Sequence, residues 1–210
     1  MRILVLCSDA WHPAETARRG FAPLEKSGFE LEWLEDGVAW SAARMMEFPL
    51  VILAKSNVIS PADKNPWLTP DSQTGFQTYL RAGNGLVIVH SGISGYDQLP
   101  AMRGVIGGAF LRHPPKCAVT VEPKIPHALT CGVAPFAVRD EQYFIALDDA
   151  AADVFLHTHS EHGTQPAGWT RREGSGRICV LTPGHDAEVR LHLGFQMLLN
   201  NALRWAAKKN

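Results

Sequence analysis

Short apolar runs alternate with amphipathic segments through the first half of the chain. The runs at residues 3–7, 50–54 and 86–89 are typical of strands buried on both faces, and residues 29–34 are predicted to form a further strand. Between them, apolar side chains recur every three or four residues, which predicts one helix from Pro13 to Gly28 and another from Thr69 to Gly83. This β-α repetition predicts an α/β fold, a doubly wound and mainly parallel sheet with helices on both faces.

The pattern changes at about Gly104. Loops and prolines now separate the strand patterns, so we expect part of the sheet to be antiparallel; the predicted strands are residues 117–122, 137–147, 154–158 and 177–181. A last amphipathic segment, residues 191–205, predicts a closing helix. Because no linker or repeat divides the sequence, we expect a single domain over residues 1–210, with a β-rich insertion in its second half.

Composition and charge narrow the class of protein. The net charge of −1, with 46% hydrophobic and 20% charged residues, is ordinary for a globular protein. The sequence has no basic stripe, which would favour nucleic-acid binding. It also has neither a basic amphipathic helix nor an apolar stretch of roughly 20 residues, which would favour a membrane. We therefore expect a cytoplasmic protein that binds neither. The four cysteines form no C-x-x-C pair, and the positions of Cys7 and Cys179 in core strands indicate buried thiols.

Polar side chains follow four of the predicted strands directly. Ligands of open α/β sheets bind at the carboxyl ends of the strands, so these side chains are expected to meet in one site. They are Ser8, Asp9, Trp11 and His12 after the first strand, Lys55, Ser56 and Asn57 after the third, His90 and Ser91 after the fourth, and His185 and Asp186 after the late strand. Taken singly, each histidine could also be a helix cap or a loop hydrogen-bond partner. Their convergence predicts a site for a small polar ligand.

Several chemistries are open to such a site. The serine nucleophile motif G-x-S-x-G is not matched around Ser91 and only half matched around Ser94, which argues against acyl transfer. His12, His90 and His185, with the carboxylate of Glu141, could bind a divalent metal such as zinc. Without a metal, the same histidines could act as general acids and bases. The glycine-rich segment 104–108 lacks the spacing and the preceding strand of a dinucleotide-binding loop.

The order of the motifs resembles the ThuA-like (trehalose-utilisation) family. Singly each motif is weak, but eight in order span nearly the whole chain. They are Ser8-Asp-Ala-Trp-His12-Pro, Gly85-Leu-Val-Ile-Val-His90-Ser-Gly92, Gly107-Gly-Ala-Phe-Leu-Arg-His113-Pro, His127-Ala-Leu-Thr-Cys-Gly132, Asp140-Glu141-Gln-Tyr143, Pro166-Ala-Gly-Trp169-Thr-Arg, Gly176-Arg-Ile-Cys-Val-Leu-Thr-Pro-Gly-His185-Asp186 and Leu203-Arg-Trp205-Ala.

The resemblance implies a flavodoxin-like sheet of the class I glutamine amidotransferase type. Glutaminases of that type carry a nucleophilic cysteine just after the strand that ends here at Val89, where this chain has His90 and Ser91. Glutaminase activity is therefore not expected. The family is associated with sugar catabolism, and its recurrent polar positions correspond to His12, His90, His113, His127, Glu141, His185 and Asp186.

These arguments predict an enzyme of carbohydrate catabolism that acts on a sugar or keto-sugar. Such an enzyme would be a lyase, hydrolase or isomerase, with His90, His185 and Glu141 as catalytic residues and with a metal on His12, His90 and His185. The substrate would contact Trp11, His12, Lys55, Ser91, His113, His127, Tyr143 and Asp186, and Trp169 could either stack on the sugar or lie in the core. The alternative is a non-catalytic module that binds a ligand or partner. Pairing at a sheet edge could also build a homo-oligomer.

Overall fold

A computed structural model of the chain describes residues 1–149 and 152–207. The strands are β1 (Arg2–Leu6), β2 (Glu30–Leu34), β3 (Leu50–Leu53), β4 (Gly85–Val89), β5 (Gly108–Arg112), β6 (Cys117–Pro123), β7 (Phe136–Asp140), β8 (Phe144–Leu147), β9 (Asp153–Ser160), β10 (Gly163–Glu173) and β11 (Gly176–Leu181). The α-helices are α1 (Ala14–Phe21), α2 (Pro23–Lys26), α3 (Ala42–Met45), α4 (Thr74–Arg81), α5 (Pro100–Ile106), α6 (Ala187–Leu191) and α7 (Leu193–Ala206).

Nine strands form one twisted sheet in the order β2-β1-β3-β4-β11-β10-β9-β6-β7. The first five are parallel, and β3 and β4 are buried along their whole length, as their continuous apolar runs predicted. The remaining pairs are antiparallel, and β5 and β8 form a separate two-stranded sheet. The α/β class is confirmed.

The expectation of a mainly parallel sheet holds for only half of it, since four neighbouring pairs are parallel and four are antiparallel. Sequence analysis missed β10, the strand that begins the antiparallel half. Pro166 and Gly168 interrupt its apolar alternation, and the register shifts at both. The β-rich insertion is present between β4 and β11.

Two predicted elements are divided in the structure. Pro23 separates α1 from α2, because a proline has no amide hydrogen with which to continue the first helix. The strand predicted over residues 137–147 is two strands, β7 and β8, which belong to different sheets. The break between them, residues 141–143, brings Glu141 and Tyr143 to the edge where the candidate site lies.

Two apolar layers sandwich the sheet. One contains the inner faces of α1 and α7, with Phe21 and Phe195 at its centre. The other lies under α4 and α5 and includes Phe76, Met102 and Trp169. The chain runs from β1 to one neighbour, β2, and then back past β1 to β3, so the order reverses between β1 and β3. A crevice is expected outside the carboxyl ends of the strands at such a reversal.

Candidate functional site

His12 is fixed by a buried aspartate in the loop after β1. Asp9 is 1% exposed, and its Oδ1 accepts hydrogen bonds from the backbone amides of Trp11 and His12, both at 2.9 Å. Burial by itself would raise the pKa of Asp9, but its hydrogen bonds from His12 and from backbone amides outweigh burial and hold that pKa well below the usual range. The ionised carboxylate lies 2.8 Å from His12 Nδ1 and accepts a hydrogen bond from it, and Nε2 is the ring nitrogen that faces His185, at 3.1 Å from His185 Nδ1.

His90 lies directly after β4 in a backbone conformation that is rare for a bulky residue, with φ of 47°. Its Nδ1 donates to the carbonyl oxygen of Thr182 at 2.7 Å, which leaves Nε2 as the unprotonated nitrogen. Burial lowers the pKa of His90 to about 3, although the Glu141 carboxylate raises it in part, so the ring is neutral. Within the described part of the chain, Nε2 is buried without a hydrogen-bond partner.

The same turn requires a glycine two residues later. A Cβ atom on Gly92 would lie 2.1 Å from the carbonyl oxygen of Leu53, at the end of β3. The turn that follows β4 therefore packs directly on the neighbouring strand, and this close contact holds His90 beside the ends of β1 and β11.

Glu141 and His185 are held together by a second buried aspartate. Asp140, the last residue of β7, accepts hydrogen bonds from the amides of Glu141 at 2.9 Å, Gly184 at 2.8 Å and His185 at 3.1 Å. Burial raises the pKa of Asp140 to about 6, and these amide bonds oppose that increase. One carboxylate thus fixes the backbone of both residues although they are far apart in sequence.

The four side chains form one compact cluster. One nitrogen each of His12, His90 and His185 and one oxygen of Glu141 all lie within 4.8 Å of one another. His185 Nδ1 is 3.1 Å from both His12 Nε2 and Glu141 Oε2, and His90 Nε2 is 3.5 Å from the same oxygen. Burial alone would raise the pKa of Glu141, but its contacts with His185 and His90 outweigh burial and hold the pKa low. Imidazole nitrogens beside an ionised carboxylate are a typical donor set for zinc and related divalent ions.

A cavity of about 380 Å³ opens beside this cluster. Trp11, with 58% of its surface exposed, lies at its wall, and Ser56 contributes a buried Oγ that has no hydrogen-bond partner among the described residues. No arginine or lysine is among the residues that line the cavity; these are Trp11, His12, Ser56, Ser94, Phe110, His113, Glu141 and Tyr143. Aromatic rings with a few polar groups are suited to a small, uncharged, polar molecule.

Five of the predicted substrate contacts are in or near this cavity. His113 is 3.6 Å from Glu141, and the ring of Tyr143 is 4.1 Å from that of His90. Asp186 lies 3.8 Å from His185 but forms an ion pair with Lys116. The others are Trp11 and His12, in the cavity wall.

Three predicted contacts lie elsewhere. Lys55 is 1% exposed and donates hydrogen bonds to the carbonyl oxygens of Ser8, Glu35 and Ile59. Its ammonium group therefore stabilises the loop backbone. Ser91 is fully buried and is not among the residues that line the cavity.

His127 belongs to a separate groove of about 570 Å³ and pairs with Asp153 at 3.1 Å. The loop after β6 places His127 there, outside the residues that line the cavity beside the cluster, and its contact with a substrate stays a prediction. Trp169 is also a core residue: it is fully buried, and its indole donates to the carbonyl oxygen of Ile106.

Sequence reasoning missed two residues that support the cluster, Asp140 and Arg190. Asp140 precedes Glu141 at the end of a strand pattern, and that adjacency is the signal that could have identified it. Arg190 is 1% exposed in α6, and its Nε donates to the carbonyl oxygen of Gly184 at 2.8 Å. A single arginine in a short helix gives no local sign of such burial.

The cysteines do not supply a nucleophile to this site. Cys7 and Cys179 are buried in the core, and burial raises the pKa of Cys7 to about 12. The position after β4, where a glutaminase would have its cysteine, holds His90. The fold is thus that of an α/β protein in which three histidines and a carboxylate meet at the strand ends.

Comparison with known families shows to which family the chain belongs. The family model described as "Trehalose utilisation", ThuA, matches residues 2–206, and the chain therefore belongs to the ThuA family. This membership relates the chain to sugar metabolism. No curated protein matches the chain.

Solved structures show the same fold at low sequence identity. A ThuA-like protein from Parabacteroides merdae superposes with a TM-score of 0.78 at 17% identity, covering 99% of this chain and 89% of that one. A ThuA-like protein from Bacteroides uniformis gives 0.77 at 20% identity, with 98% and 91% covered. A cold-adapted β-galactosidase from Rahnella gives 0.68 at 15% identity, and the match covers 96% of this chain but only 31% of the enzyme.

Two further neighbours, from Salmonella typhimurium, are described as cytoplasmic proteins. Among residues 1–149 and 152–207, no helix has both the length and the apolar character needed to cross a bilayer.

Proposed function

We propose that this protein is a metal-dependent enzyme of carbohydrate metabolism. His12, His90, His185 and Glu141 would bind a divalent ion such as zinc, and a sugar or keto-sugar would bind in the adjoining cavity. The observation that carries this proposal is the cluster itself, whose four ligand atoms lie within 4.8 Å of one another. The buried, unpartnered Nε2 of His90 supports it, because a polar atom in that position needs a partner that the described chain does not supply.

The supporting contacts favour metal binding over free acid–base roles for the histidines. A histidine that binds a metal usually donates a hydrogen bond from its second ring nitrogen to a carboxylate or a carbonyl oxygen, and this bond fixes the tautomer. His12 does so to Asp9, and His90 does so to Thr182. A bound ion would polarise a carbonyl group or lower the pKa of a water molecule, and either would serve a lyase, hydrolase or isomerase.

The cavity supports a sugar as the substrate. Trp11 is 58% exposed and offers its indole to the apolar side of a sugar ring, with Lys64 Nζ 5.8 Å from the ring centroid. His113 and Tyr143 line the opposite part and would contact the same ring. Because the described residues that line the cavity include no lysine or arginine, we expect an uncharged sugar to bind better than its phosphate ester.

The test is the metal content of protein purified without a histidine tag, measured by mass spectrometry. We expect near one equivalent of zinc or another divalent ion in the wild type, and less than a tenth of that in His90→Ala and in His185→Ala. The matched control is His127→Ala, because His127 lies in the separate groove; it should retain full metal content. Absence of metal from the wild type, even after incubation with divalent ions, would contradict the proposal.

A further inference from the structure

Arg190 is a buried cation with few partners. It is 1% exposed, its guanidinium lies over the ring of Phe21 at 4.9 Å, and only Nε has a hydrogen-bond acceptor within the described chain. Burial lowers the pKa of Arg190 to about 10, so the group is still charged at neutral pH. Burying a charged group with unpaired hydrogen-bond donors costs free energy. The hydrogen bond that Arg190 does form within the described chain therefore indicates what the side chain is for.

Neighbouring elements are shaped around this side chain. A Cβ atom on Gly20 in α1 would lie 2.6 Å from Arg190 Cβ and Cδ, so glycine at that position leaves room for the arginine stem. On the other side, the Gln196 amide donates to the backbone carbonyl oxygen of Arg190 at 2.6 Å. Arg190 is thus held between α1 and α7, and its position relative to the sheet is fixed.

The one acceptor of the guanidinium is the residue that precedes His185. Arg190 Nε binds the carbonyl oxygen of Gly184, while Asp140 binds the amides of Gly184 and His185. Gly184 has φ of 121°, a conformation that suits glycine. The backbone at Gly184 is therefore held from both sides, by a buried cation and a buried carboxylate.

We propose that Arg190 is a positioning residue that acts through Gly184 to aim His185 at the cluster. The proposal rests on the proposed function for its metal-binding consequence, but the restraint on the loop is independent of any metal. Without the guanidinium, only Asp140 would hold the peptide unit between Gly184 and His185, and we expect His185 Nδ1 to depart more readily from its position 3.1 Å from both His12 and Glu141.

The experiment compares Arg190→Met and Arg190→Lys with the wild type by Co²⁺ titration and by the visible spectrum of bound Co²⁺. Methionine keeps most of the stem but removes the donors, and we expect a loss of affinity of about 10–100-fold together with a changed spectrum. Arg190→Lys keeps the charge and a donor and should recover part of the affinity. The matched control is Tyr79→Phe, which removes hydrogen bonds to Phe48 and Gly85 in the layer across the sheet.

A merely structural role would lower the melting temperature of Arg190→Met, as in Tyr79→Phe, and leave affinity and spectrum unchanged; that result would overturn the proposal. If the wild type binds no Co²⁺, the proposed function fails, and amide hydrogen exchange then decides the separate question of the loop. Faster exchange at Gly184 and His185 in Arg190→Met than in Tyr79→Phe would support the positioning role. Equal exchange would overturn it.

Discussion

Asp9 and Asp140 each hold the backbone beside a different part of the four-residue cluster. Each is 1% exposed, and the carboxylate oxygens of each accept hydrogen bonds from backbone amides at or next to a candidate ligand. Asp9 also contacts the His12 ring and so selects which nitrogen is free. These two buried carboxylates therefore orient His12, Glu141 and His185 toward one another.

Asp9→Asn tests this dependence at His12. An amide group cannot satisfy both the His12 ring and the Ser56 amide as the carboxylate does, so we expect zinc affinity to fall by about 10–100-fold. Competition with a chelator of known affinity measures the change. Asp36→Asn is the control, because Asp36 caps a short 3-10 helix through the Val38 amide. Affinity within twofold of the wild type in Asp9→Asn would contradict the assignment.

Gly92→Ala tests the tight turn that carries His90. The added methyl group would lie 2.1 Å from the Leu53 carbonyl oxygen, and we expect a loss of about 1–3 kcal/mol in the free energy of unfolding. Gly104→Ala in α5 is the matched control: its Cβ has open space, and alanine should stabilise the helix by about 0.5–1 kcal/mol. Urea unfolding of the two variants should give opposite signs, and equal signs would refute this interpretation.

The break between β7 and β8 is the element that joins the insertion to the rest of the molecule. β7 is at the edge of the antiparallel half, while β8 pairs with β5 in the small sheet that carries Phe110 next to the cavity. Asp140 at this break reaches the loop after β11, in the parallel half. The site is consequently assembled from both halves, and neither half contains the whole cluster.

Asp140→Asn tests the coupling of these elements. An asparagine keeps one acceptor oxygen, so at least one of the Gly184 and His185 amides loses its partner, and we expect a loss of about 1–3 kcal/mol in unfolding free energy. Denaturant unfolding in the presence of a chelator measures this without any contribution from metal. Asp153→Asn, at a half-exposed aspartate that accepts from His127, is the control and should change stability by less than about 0.5 kcal/mol. The coupling would be refuted if both variants had the same stability.

An ion bound to the cluster would connect residues that follow four different strands of the molecule. His12, His90 and His185 follow β1, β4 and β11, and Glu141 follows β7, so its ligands lie on elements that are distant in sequence. Unfolding separates these ligands, and the binding free energy would therefore add to the stability of the fold.

Metal should accordingly raise the melting temperature. Zinc at 100 times its dissociation constant contributes about 2.7 kcal/mol, which for a chain of this length corresponds to an increase of about 5–10 °C that a chelator reverses. His185→Ala should lose this increase. His159→Ala should retain it, because His159 pairs with Glu122 on the surface, away from the cluster. An equal increase in both variants would show that zinc stabilises the protein through some other site.

Local patterns in the sequence determined the parallel half of the fold. The strands β1, β3, β4 and β11 are continuous apolar runs because both of their faces are buried, and this burial leaves a signal that needs no knowledge of neighbours. The same reasoning brought His12, His90 and His185 together, since the carboxyl ends of parallel strands share one edge of a sheet. The order of the motifs added the family and, through it, the link to sugar metabolism.

Only the tertiary structure decided the remainder. The strand predicted over residues 137–147 divides between two sheets, and Pro166 and Gly168 conceal β10, because bulges and breaks depend on what the strand packs against. Lys55 and His127 were predicted to lie at the same site as the cluster, but the direction of each side chain depends on which backbone carbonyl or carboxylate it meets. Asp140 and Arg190 act across 44 and 6 residues of chain through hydrogen bonds to the Gly184 backbone, and such contacts leave no periodic trace in the sequence.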